Sequence, residues 1–97
     1  MINRALTAGA AAVARGEDRP ARVRETMLRV LATVPGVDPE YAEIVDALSM
    51  SVPERLTGEV RLLVAARVGD VRLIDNVGAL VGVDVGPYAM SSKEISA

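Results

Sequence analysis

Apolar positions recur with a helical period over the first third of the chain. Leu6, Ala10 and Val13 fall near one face of an Ala-rich stretch, and the spacing predicts a helix from Ile2 to Arg15. Gly16 is the natural stop. Asp18 before Arg19-Pro20 suits the start of a second helix, with proline in the first turn. From Pro20 to Val34 the residues Val23, Met27, Val30, Leu31 and Val34 form one buried stripe, while Arg22, Arg24, Glu25 and Arg29 lie mostly off it. Pro35-Gly36 ends that helix.

After Pro39 the period shortens. Tyr41 to Asp46 is short, β-branched and roughly alternating, and predicts a strand. Ala47 to Gly58 reads as a connection, with a helical turn expected at Pro53 to Leu56. Val60 to Val68 is an almost continuous apolar run broken by Arg61 and Arg67, and predicts a second strand. Gly69-Asp70 turns it into a third, Val71 to Val77, as a hairpin. Val77 to Val85 is left open between a last strand and an extended tail, and Met90 to Ala97 reads as frayed. Helices followed by strands imply an α+β fold, with two N-terminal helices packed on a three-stranded antiparallel sheet. The expected domain is residues 1–86, followed by a polar tail over 87–97.

Composition narrows the chemistry. The chain has 97 residues, enough for one small domain, and contains no His and no Cys. That excludes a disulfide framework, a thiolate nucleophile, an imidazole base and imidazole or thiolate metal ligands. Eleven Lys and Arg against thirteen Asp and Glu give a net charge of −2, and 2% of residues are aromatic. A basic, base-stacking nucleic-acid surface is not expected from such a chain. No apolar stretch approaches the length of a spanning helix, so no membrane partner is expected. Ala12-Val13-Ala14 has the small-x-small form of a signal-peptidase site. However, Thr7, Gly9 and a single Leu make the preceding stretch a poor inserting segment, and it reads instead as a helix of a cytoplasmic protein.

Some stretches are more specific. Arg61 to Asn76 reads RLLVAARVGDVRLIDN, Ala5 to Gly16 reads ALTAGAAAVARG, Val30 to Val37 reads VLATVPGV, and Tyr41 to Met50 reads YAEIVDALSM. In this order they resemble the C-terminal domain of the pantothenate synthetases (pantoate–β-alanine ligases), over about Ala5 to Asn76. The resemblance implies a lid domain. In the family, a separate N-terminal nucleotide-binding half carries a HIGH-type motif and the substrate pockets. It also implies ATP and Mg²⁺ as cofactors of the full-length enzyme, with none expected for this chain alone. The implied reaction condenses pantoate with β-alanine through pantoyl adenylate, and this chain would be inactive without that half, supplied in cis or in trans. Where the family usually has Pro after the aspartate of its first strand, this chain has Ala47.

The resemblance also marks candidate sites. Met90, Ser91 and Ser92 match a family motif resembling A-M-S-S-R-N that binds ATP phosphates, with Lys93 where the motif has Arg. In the family this motif precedes the domain, whereas here it follows it, which would require the tail to fold back to the junction's place. Arg61 and Arg67 differ by an even number and so share a strand face, and Arg72 can join them across the hairpin. They are candidates for an interdomain, phosphate-facing surface, against the plainer reading of solvated arginines covering the sheet with their stems. Asp46 and the pair Asp75-Asn76 read as local backbone caps. No catalytic group and no metal site is expected. A non-enzymatic protein-interaction module reusing the lid fold, including self-association into a homo-oligomer, is the alternative function. A free-standing enzyme ranks last, because no phosphate loop, metal-ligand set or base–nucleophile pair is present.

Overall fold

The structure, a computed structural model, describes residues 2–88, with side chains through Val83. Two helices, α1 (Ile2–Ala14) and α2 (Pro20–Ala32), precede four strands: β1 (Val37–Asp46), β2 (Glu59–Val68), β3 (Val71–Leu80) and β4 (Val83–Tyr88). The strands form one antiparallel meander in the order β1-β2-β3-β4. Both helices cover the same face, α2 over β1 and α1 over β2 to β4. The α+β arrangement expected from the pattern is present, and the fourth strand resolves the segment that the pattern left open.

Each helix is held by most of the stripe that the spacing predicts, but α2 ends at Ala32, so Val34 falls outside the helix and the core cluster, and Val30 packs against the core only partly buried. Ile2, Ala5, Leu6, Gly9, Ala10 and Val13 of α1 are buried, as are Val23, Met27 and Leu31 of α2. They meet Val60, Leu62, Val64 and Ala66, the even-numbered side of β2, to form the core. Gly9 marks the tightest approach. A Cβ there would stand 2.6 Å from Leu62 Cδ2 and 2.8 Å from Met27 Cγ. Small residues on α1 thus let a helix, its neighbour and the central strand meet at one point. The Ala-rich opening of the chain is part of this core, and no described helix is long and apolar enough to cross a membrane.

The ends of α1 and α2 are held differently. After α1, Gly16 takes φ +99° while its N–H donates to Val13 O, and Glu17 N–H donates to Ala12 O. This is a Schellman closure, which a glycine permits. Val13 O also accepts the N–H of Gly82, in the β3–β4 turn, at 2.9 Å. The start of α2 differs from expectation. Arg19, not Asp18, is the N-cap residue, and it makes no side-chain cap bond. Asp18 instead ion-pairs with Arg55 at 3.0 Å, and its carbonyl accepts Leu56 N–H at 2.7 Å. Proline at the first helical position removes one donor that a cap would otherwise have to satisfy.

Two strands and the connection between β1 and β2 depart from the pattern expected from the sequence. β1 starts at Val37, four residues early, and carries Pro39 with a register break between Pro39 and Tyr41. An edge strand tolerates a proline, and the bulge absorbs it. β3 continues past Val77 to Leu80, so Asp75 and Asn76 lie inside a strand. Residues 53–56 form bends without a helical turn, and Leu56, 1% exposed, anchors this connection in the core.

Candidate functional site

The face of the sheet away from the helices carries the arginines singled out from the sequence. Its side chains come from the odd-numbered positions of β2 and the residues opposite them in register. Near the β2–β3 turn, Arg67 stands directly opposite Arg72. Next come Tyr41, Ala65 and Ile74, then Glu43, Leu63 and Asn76, and last Val45, Arg61 and Gly78. The three arginines therefore share a face, as their spacing requires, but not a site. Arg61 and Arg67 are six residues apart, about 20 Å along an extended strand.

Arg67 and Arg72 are brought together and bridged by a residue that the sequence reading did not pick out. Glu40, at the β1 bulge, accepts the Arg72 Nε–H through Oε1, and its Oε2 lies 3.4 Å from Arg67 Nη2. The hydrogen bond from Arg72 holds the Glu40 carboxyl below the usual carboxylate range. Partial desolvation opposes this, and the charges of Arg72 and Arg67 reinforce it. Two like charges placed opposite each other on a hairpin repel, so the glutamate's first effect is structural. Arg61 is different: it is 6% exposed and engaged within the fold.

The other candidates are local. Asp46 Oδ2 accepts the N–H groups of Leu48 and Ser49 at 3.0 and 2.8 Å. The bond from Ser49 lowers its pKa, with the Leu48 bond adding to this against a desolvation cost. This is the backbone cap that the sequence suggested. Asp75 Oδ1 accepts the neighbouring Asn76 N–H at 2.8 Å, also a local bond. Met90, Ser91, Ser92 and Lys93, with the rest of the tail from residue 89, lie outside the described residues.

Open hollows lie on the surface of the described residues. One of about 300 Å³ is lined by Ile2, Asn3, Leu73, Ile74 and Asp75. Another of about 400 Å³ runs along α1 from Asn3 to Ala11 beside Val30. Among the described residues no group of three acidic side chains converges as a metal site requires. A layer of helices on one face of an antiparallel meander, with the other face ion-paired and partly apolar, defines an α+β module.

Comparison with known proteins places this module. Residues 1–78 match the family model described as pantoate-beta-alanine ligase. A pantothenate synthetase of Corynebacterium jeikeium is 46% identical over 81 residues, covering 84% of this chain and 25% of the relative. Pantothenate synthetase 2 of Frankia alni is 44% identical over 77 residues, covering 79% and 23%. The crystal structure of pantothenate synthetase from Thermus thermophilus superposes with a TM-score of 0.69 at 28% identity, over 77% of this chain and 27% of that one. The chain belongs to the pantoate-beta-alanine ligase family, and it spans about a quarter of the length of the relatives it matches.

Proposed function

We propose that this chain is the lid portion of a pantoate–β-alanine ligase and that it is inactive without a nucleotide-binding portion. The observation that carries this reading is the pattern of coverage: the C. jeikeium relative matches 84% of this chain with only 25% of its own length. Three-quarters of such a relative is therefore protein that this chain does not match.

The whole enzyme would join the carboxylate of pantoate to the amine of β-alanine at the expense of ATP. The described residues are a poor fit for ATP or Mg²⁺. Arg67 and Arg72 are committed to Glu40, Arg61 is buried, and no acidic trio converges. ATP and Mg²⁺ would be held by the other portion. This chain's contribution is closure: a rigid wall that keeps water from an activated acid, which hydrolyses readily when exposed. A stiff helix-on-sheet module suits that task, because a wall needs a fixed shape and not a reactive group.

A chimera tests the reading. This chain would replace the matched 81 residues of the C. jeikeium relative. The expected result is formation of pantothenate from pantoate, β-alanine and ATP. A chimera that folds but forms none would count against the assignment.

A further inference from the structure

We propose that the loop over residues 47–53 is the surface by which this chain docks on the nucleotide-binding portion of the ligase, an assignment that rests on the function proposed above. Three large apolar side chains stand in solvent within five residues: Leu48, 91% exposed, Met50, 47%, and Val52, 49%. Leu48 is the most exposed large hydrophobic among the described residues. No charged residue occurs from Ala47 to Pro53.

This exposure does not come from a slack loop. Asp46 Oδ2 accepts the Leu48 and Ser49 N–H groups, and Asp46 O accepts the Met50 N–H at 2.9 Å. The Asp46 N–H donates to Ser51 O at 2.9 Å, and the hydroxyls of Ser49 and Ser51 lie 2.8 Å apart. Met50 has φ +58°, the only non-glycine residue in the left-handed region among the described residues. A β-unbranched apolar residue rarely adopts that conformation without a compensating framework. The loop therefore holds its apolar side chains in solvent on a backbone that is already ordered. Such preorganisation reduces the ordering cost of association.

The rival surface is the outer sheet face. Its exposed apolar residues Tyr41 and Ile74 sit beside the Glu40, Arg67 and Arg72 cluster. Burying them would also bring that cluster out of water, which is costly unless the partner completes it. The loop itself has no charged side chain to desolvate, and the Asp46 carboxylate at its base already accepts two of the loop's own N–H groups. The occupant is the rest of the ligase polypeptide. In the relatives, a stretch of about this size is part of a chain some four times as long, so a neighbouring surface is always at hand. The chemistry expected of that surface is an uncharged, apolar hollow.

The test titrates the full 97-residue chain against the C. jeikeium relative lacking its matched segment, by calorimetry. The prediction is saturable binding that weakens at least tenfold in the triple variant Leu48→Ser, Met50→Asn, Val52→Ser, with thermal unfolding unchanged. Asn is chosen at position 50 because it tolerates the left-handed region. The variant Tyr41→Ser, Ile74→Ser should bind within twofold of the original chain. Equal binding by the loop variant overturns the assignment, as does a loss confined to the outer-face variant. Self-association abolished by the loop variant, with no binding of the relative, would make a second copy the occupant and also overturn it. Absence of any binding removes the docking surface, whereas the proposed function is judged separately by the chimera, in which the portions are covalently joined.

Discussion

Gly9 is the residue at which this fold is least forgiving. Its missing side chain lets Leu62 and Met27 close over α1, both of them fully buried. Gly9→Val should destabilise the protein by about 1–3 kcal/mol through overpacking, despite removing a poor helix former. Thermal unfolding should register a fall of several degrees, and an unchanged or raised Tm would show that the core has slack at this point. Glu40 is the other pivotal residue. A carboxylate whose pKa is lowered on folding stabilises the native state above its unfolded pKa, and that contribution is lost as pH falls through the folded value. The same sign holds for Asp46, so stability should decline on acidification through and below the usual carboxylate range. Asp46→Asn and Glu40→Gln should each lower Tm at neutral pH and flatten its dependence on acid pH. A parallel, merely shifted profile would mean that neither carboxylate couples folding to protons.

At the level of elements, how much the sequence revealed depended on how regular its period was. The stripe on α2 and the β2–β3 hairpin, with its two-residue Gly69-Asp70 turn, follow directly from 3.6- and 2-residue periods. The early start of β1 was hidden by Pro39, a residue that argues against a strand unless the strand is at an edge and bulged. The value of Glu40 was hidden with it. An acidic residue beside a proline carries no sequence signal of two arginines waiting some thirty residues away. The even spacing of Arg61 and Arg67 correctly placed them on one face, yet spacing alone could not show that Arg61 is buried and Arg67 exposed. Leu56 follows Pro53-Glu54-Arg55 in a connection without regular structure, where no helical or strand period marks it as buried. It packs into the core from a stretch without regular structure, while its N–H is tied to Asp18 O. Leu56→Ala should cost about 2–5 kcal/mol, the range for emptying a buried leucine site. Chemical denaturation would show this as a lower midpoint at unchanged slope, and a loss below about 0.5 kcal/mol would mean the connection is not anchored there.

For the whole molecule, the decisive relation is between this chain and relatives four times the length it covers. Several charged groups among the described residues serve the fold: Glu40 joins β1 to the hairpin, Asp46 caps its own loop, and Asp18 and Arg55 tie the start of α2 to the connection. The helices cover one sheet face, and the other keeps its arginines occupied. The most exposed large apolar side chain among the described residues, Leu48, lies on the loop after β1. Under the proposed function the chemistry belongs to the rest of the ligase and this chain closes over it. Pantoate-dependent exchange of radiolabelled pyrophosphate into ATP tests that most directly, measured for the purified 97-residue chain alone and then with the remaining portion of the C. jeikeium relative added. Exchange that appears only in the mixture is the predicted result. Exchange by the chain alone, at a rate that the added portion does not change, would contradict the account.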